Sequence, residues 1–326
     1  MKQAIIQNVR SHITDMSKQT VKRKSLFNKY LNSWKIAKEL LNLKFPSEHY
    51  QDGYLCPICF HIFPYSETTI NDLLTIEDIP PKSLGGKGII LTCKNCNNMS
   101  GEKIDSHLHQ DERMRNIIKS GGDISLNVLS IVDKKFTFPS KLSFPKKDLF
   151  KFQINPKKSK TAQWGIDHLK EKWAGTHINF QFKGPNPYRV DLAKLRIAYL
   201  TVFATIGYIG ILTSTYDNIR KQLLNPTEKI LDGKWSLKID QNLDEGLYWI
   251  TLGDSLKAYM VSYTLKISGI TNKYYTLVPS PTDESLKVFN YVEGTKREKF
   301  QYLNLSGIDP INDKKVAESI LKLIYQ

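Results

Sequence analysis

Four cysteines and one acid-rich turn carry whatever chemistry this sequence can do. The cysteines stand as Cys56-Pro-Ile-Cys59 and Cys93-Lys-Asn-Cys96, and the chain has no others. A CxxC turn sets two thiolates on one edge of a tetrahedron. Two such turns close the tetrahedron around Zn²⁺ and leave no open position, so the ion is structural. It holds together a segment too small to fold alone. A redox CxxC needs only one pair, at the start of a helix after a strand. A disulfide framework spreads its cysteines along a smaller secreted chain. His61, two residues after Cys59, is a spare ligand that the set does not need.

Between the two pairs runs Glu77-Asp78-Ile79-Pro80-Pro81, then Gly85-Gly86, and Asn97 follows the last cysteine. The spatial logic is readable. A strand ends at Glu77-Asp78, and the Pro-Pro pair fixes how it leaves. Gly-Gly permits a turn with positive φ. A second strand runs up to Cys93, and the knuckle hands over to a helix at Asn97. Carboxylate and amide oxygens with open positions left over suit Mg²⁺ or Mn²⁺ bridging phosphate oxygens. Plainer roles exist: Asn97 can cap a helix, and Gly-Gly can be only a turn.

This order of parts resembles the HNH endonucleases of the zinc-bearing ββα-metal type, over roughly residues 54 to 110. The resemblance implies a small ββα-metal module with structural zinc and phosphodiester hydrolysis at a Mg²⁺ or Mn²⁺ ion. It gives catalytic roles to Glu77, Asp78 and Asn97, with Asp78 and Asn97 holding the ion. Gly101 and Asp105 match positions found in one subgroup. The departure is Asp78, where most of the family carries its general-base histidine. An ordinary aspartate has a pKa near 4 and is a weak base at neutral pH. Three readings stay open: Asp78 binds the metal or acts on metal-bound water, a histidine such as His61, His107 or His109 substitutes, or the site is inactive. Asp105 lies eight residues past Asn97, about 12 Å along a helix, so it orients a neighbouring group rather than sharing the ion. His107 and His109 read as surface residues.

The surrounding elements give an α+β protein. Residues 1–50 form a basic helical arm with apolar residues at helical spacing from Met16 to Leu41, ended by Pro46. Its Lys22-Arg23-Lys24 cluster reads either as a solvated face or as a phosphate-contacting arm. Residues 51–120 are the HNH module. Residues 121–186 are a basic, strand-rich connection, with strands at 124–132, 148–154 and 176–182 and a helix at 159–172. Lysines there alternate with phenylalanines, which suits a basic sheet face following a nucleic-acid backbone or a lysine-protected edge. Residues 187–326 form a larger α+β region without a chemical motif. It has helices at 189–213, 216–226 and 311–325, and it is the place for a protein partner or a second copy.

The formal net charge is +15, with 47 Lys and Arg against 32 Asp and Glu, which points to a polyanion. The apolar run 197–212 is short for a membrane span and reads as a buried helix. No secretory signal is visible at the start, so the expected setting is the cytoplasm, with no membrane. The expected function is cleavage of double-stranded DNA by a metal-dependent HNH-type endonuclease, and the resemblance extends to restriction and antiphage defence enzymes. The alternatives are a non-catalytic zinc-dependent nucleic-acid-binding protein and an RNA-directed nuclease.

Overall fold

The computed structural model describes residues 2–43, 53–68, 73–131, 134–146, 149–154, 167, 179–181, 184–232, 234–237, 239, 241–253, 256–283, 286–294 and 300–325. The chain divides into two compact units. The first takes Met1–Leu108, Pro187–Lys266 and Thr271–Gln326, and the second takes His109–Asn186 with Ile267–Ile270. The arm, the cysteine module and the C-terminal region, read as three pieces in the sequence, therefore form one body.

In the first unit, helix α1 (Lys2–Leu40) precedes a short hairpin of β1 (Tyr54–Leu55) and β2 (Ile62–Phe63). Next come β3 (Leu74–Ile79) and β4 (Lys87–Cys93), paired antiparallel, and then α2 (Lys94–Ser100). A π-helical turn, Gly101–Asp105, widens the helix before α3 (Ser106–Ser120). Pro187–Ile206 forms α4 and Asp217–Leu224 forms α5.

Helix α1 is no free arm. Its apolar stripe buries Phe27, Tyr30, Trp34 and Ala37. Tyr30 stacks on Phe203 of α4 at 4.6 Å between ring centroids, and Trp34 meets Tyr208 edge-on. Tyr199, Phe203 and Tyr208 are core residues, as their periodicity predicts. Among the described residues one helix, with its continuation to Gly210, is long and apolar enough to cross a membrane, but 83% of that stretch is buried inside the protein. A core helix passes the same test.

The rest of the first unit is a five-stranded sheet in the order β13-β10-β11-β12-β9. Its strands are β9 (Ser236–Leu237), β10 (Gly246–Leu252), β11 (Leu256–Ile267), β12 (Ile270–Pro279) and β13 (Gln301–Asn304). Helices α6 (Lys287–Gly294) and α7 (Lys314–Tyr325) complete it.

The second unit holds the later part of α3 and a four-stranded antiparallel sheet in the order β7-β6-β5-β8. These strands are β5 (Gly122–Ile131), β6 (Lys134–Lys146), β7 (Leu149–Ile154) and β8 (Asn179–Gln181). The strands expected at 124–132 and 148–154 are present, and the one at 176–182 is described over Asn179–Gln181. The helix expected at 159–172 lies outside the described residues, save residue 167.

Candidate metal centre and the two faces of its hairpin

The turn after β3 depends on two glycines. Gly85 has φ +89°, a left-handed conformation that costs other residues energy. A Cβ on Gly86 would stand 1.4 Å from the Pro80 carbonyl oxygen, so only glycine lets the two backbones pass. The Ile79–Pro80 peptide is cis. This turn returns the chain into β4, which ends at Cys93.

Helix α2 starts at Lys94, earlier than the sequence predicts. Cys93 is its N-cap, and its Sγ accepts a hydrogen bond from the Cys96 amide at 3.4 Å. The second CxxC is therefore the first helical turn, and sulfur stands where a capping oxygen usually does. The first CxxC lies in the β1–β2 hairpin. The Cys93 amide donates to Cys56 Sγ at 3.4 Å and so ties the two knuckles together.

All four sulfurs lie within 4.8 Å of one another, and Cys59 and Cys93 are 3.7 Å apart. A tetrahedron with Zn–S bonds of about 2.3 Å has edges of about 3.8 Å. The four cysteines could therefore hold a metal ion such as zinc. Burial pushes the Cys56 thiol well above its ordinary range, and a bound cation reverses that by stabilising the thiolate.

Tyrosines lock the knuckle in place. Tyr54 Oη donates to the Leu91 carbonyl at 2.5 Å and accepts from the Leu91 amide at 3.2 Å. Tyr208 treats Leu55 the same way, at 2.5 and 3.0 Å. Tyr199 donates to the Pro57 carbonyl at 2.6 Å. The Arg220 guanidinium lies over the Phe60 ring at 3.8 Å. His61 is exposed and lines a 580 Å³ concavity with Cys59, Phe63, Met99 and Leu224. It borders the cysteines, not the acidic turn.

The β3–β4 ribbon has two faces, and they differ in character. Thr75, Glu77 and Thr92 share one. Asn97 Nδ2 donates to Thr75 Oγ1 at 2.8 Å, Thr75 Oγ1 donates to the Thr92 carbonyl at 3.2 Å, and Thr92 Oγ1 donates to Glu77 Oε2 at 2.9 Å. Glu77 is 3% exposed, and its other oxygen pairs with Arg196 Nη2 at 2.8 Å. Arg196 Nη1 reaches Asp105 Oδ2 at 3.0 Å. Asp105 thus belongs to a buried Glu77–Arg196–Asp105 triad and not to an ion shared with Asn97. Burial raises Asp105 to about 6 despite Arg196, with Glu77 adding to the rise. His107 accepts from Arg189 Nη1 at 3.1 Å, and His109 is half-buried.

Asp78 looks the other way. It stands opposite Gly88, and a Cβ built on Gly88 would meet Ile76 at 2.3 Å, Lys22 Nζ at 3.3 Å and Asp78 Oδ1 at 3.4 Å. Asp78 therefore lies on the side of α1, while Glu77 turns toward Arg196 of α4 and Asn97, on α2, bonds Thr75 on that same opposite face. The expected joint ligand set of Asp78 and Asn97 does not assemble in this arrangement. Asp78 is half-buried, and burial and then Glu77 hold its carboxyl above the ordinary range, against the pull of Lys82 and Lys22.

Arg196, Thr75 and Thr92 were not singled out as site residues by sequence reasoning. The one readable signal was Arg196 itself, an arginine opening an apolar run, since a buried charge needs a partner. No protein-family model, curated protein or solved structure matches the chain.

Proposed function

We propose that this protein is an HNH-type endonuclease that hydrolyses phosphodiester bonds in DNA, with Zn²⁺ held by Cys56, Cys59, Cys93 and Cys96 as a structural staple. The observation that carries this reading is the local order of parts. Two antiparallel strands run into a helix, a four-cysteine cluster clamps strand end to helix start, and Asp78 stands half-open at the far end of the ribbon. Asp78 takes the base's role: its carboxylate accepts a proton from the attacking water as the water oxygen bonds to phosphorus, and the deoxyribose oxygen leaves with a proton taken from solvent water. Its raised pKa favours this, because a base works best when its pKa approaches the working pH. Glu77, its neighbour along the strand, is paired with Arg196. Asp78 lies by Gly88 and Lys22 while Asn97 bonds Thr75 on the other face, so Asp78 serves as base without a divalent ion shared with Asn97.

A second reading is a non-catalytic nucleic-acid-binding protein. The observation that favours it is the sequestration of Glu77 by Arg196. The test is a substrate panel: supercoiled plasmid, linear duplex, single-stranded DNA and RNA, each with and without added Mg²⁺ or Mn²⁺. Nicking of plasmid by zinc-loaded wild type supports the endonuclease. Cutting of RNA alone moves the substrate class. Binding without cutting under every condition supports the second reading.

A further inference from the structure

The four sulfurs are not equally covered. Cys56, Cys93 and Cys96 are buried, and Cys59 is half-buried. Cys59 opens on the 580 Å³ concavity. Cys93 and Cys96 border the same space but are only 6% and 3% exposed. The rest of its wall is largely apolar, with Phe63, Leu73, Met99 and Leu224. Leu73 and Leu224 are both exposed. A structural staple needs no access path, yet here one sulfur has a path, and carbon lines it.

In a four-thiolate zinc site every sulfur is deprotonated, so ionisation does not single one out. Access does, because oxidation follows thiolate character and exposure together. The wall then selects among oxidants. Hydrogen peroxide gains nothing from leucine and methionine, whereas an organic hydroperoxide buries its carbon body against them.

We infer that Cys59 is an oxidation site for organic hydroperoxides, and that its oxidation opens the cluster. The Cys59 sulfur attacks the terminal peroxide oxygen. The O–O bond breaks, and the alkoxide leaves and takes a proton from water. Sulfur has given up two electrons and stands as a sulfenic acid. A second thiolate then displaces the sulfenic oxygen, which leaves as hydroxide while an S–S bond forms. Cys93 Sγ is placed for this, 3.7 Å away, against about 2.05 Å in a disulfide. Two of the four zinc ligands are then spent, and the ion is released. The Cys93 sulfur also caps α2, and the Cys93 amide bonds Cys56 Sγ. The change is therefore felt at the helix start as well as in the β1–β2 hairpin. This inference goes beyond the endonuclease reading and does not depend on it. It rests on the zinc reading only for the released ion.

The test uses the full zinc-loaded chain with limiting cumene hydroperoxide or hydrogen peroxide. Dimedone traps sulfenic acid, and peptide mass spectrometry assigns the first sulfur labelled. Parallel samples without dimedone report zinc release through a chromogenic chelator. Glutathione supplies the intrinsic ratio of the two oxidants' rates. The expected result is a first label on Cys59 and one zinc lost per Cys59 oxidised. The ratio of the cumene hydroperoxide rate to the hydrogen peroxide rate should exceed that of glutathione about fivefold. Leu224→Gln should lower the ratio about threefold. Leu149→Gln, at an exposed leucine of the second unit, should leave it unchanged. Dithiothreitol with fresh zinc should restore the original zinc content. No labelling, first labelling at Cys56, Cys93 or Cys96, equal labelling of all four, a ratio equal to that of glutathione, or zinc retained after oxidation would each overturn the inference. A chain that holds no zinc yet labels first at Cys59 keeps the oxidation site and removes the staple.

Discussion

Arg196 is a lone guanidinium, 1% exposed, between two carboxylates. Removing one partner from a buried ion pair strands the other charge and costs about 3–5 kcal/mol. Arg196→Met should therefore destabilise the first unit by that order in urea denaturation. A change below about 1 kcal/mol would mean the triad is dispensable. Burial, with the neighbouring Glu77 adding to it, holds Asp105 above its ordinary range against the pull of Arg196. Its folded pKa of about 6 lies above its ordinary 3.8. The stability tied to its protonation is thus fully present below pH 3.8 and lost as pH rises through about 6. Wild type should gain on Asp105→Asn when pH falls from 7.5 to 5.5, read from paired denaturation midpoints. Parallel pH dependences would contradict the assignment. At this scale the sequence made the four cysteines, Glu77, Asp78 and Asn97 visible by type and spacing. It could not show which face each occupies, because the pleat decides that only once β3 is in register with β4.

At the scale of elements, the cysteine hairpin is a small piece held by borrowed tyrosines and, on the proposed reading, by a zinc ion at its four cysteines. Two strands of two residues cannot fold alone. Cys59→Ser, or stripping by a strong chelator, should loosen β1–β2. The readouts are one zinc per chain lost and a change in the near-ultraviolet dichroism of Tyr54, Tyr199 and Tyr208. Retention of both after zinc loss would show that the tyrosine hydroxyls suffice. Gly86→Ala should be worse than Gly85→Ala, because the first collides with backbone, while the second strains φ and presses only on the flexible Lys266 side chain. Strain of that kind costs about 1–2 kcal/mol, and soluble yield with thermal melting separates the two. Most of the elements read were legible from their patterns: α1, α4, β5 and β7 follow the apolar spacing of the sequence. The start of α2 was not, because capping by a cysteine sulfur has no pattern distinct from metal ligation.

Across the whole molecule, the grouping of segments was the least legible feature. A basic helix before a proline reads as an arm. Its place in the core depends on stacking of Tyr30 on Phe203, a contact between residues far apart in sequence that periodicity cannot see. The fold class, mixed helix and sheet, was readable from the alternation of patterns. The net charge of +15 implies binding that weakens steeply with salt if phosphates are the partner. A flat salt series would argue against any nucleic-acid role.

On the proposed function, the working face of the ribbon is the one carrying Asp78. The most direct test is nicking of supercoiled plasmid by wild type, Asp78→Asn and Asn97→Ala at matched zinc content. Loss of a positioned base typically costs 10²–10⁴-fold, so Asp78→Asn should fall by at least about a hundredfold. Asn97→Ala removes a hydrogen bond from α2 to Thr75, worth about 1 kcal/mol of stability, and should keep most of the activity. Nicking that survives Asp78→Asn but vanishes in Asn97→Ala would place the chemistry on the opposite face and contradict the account.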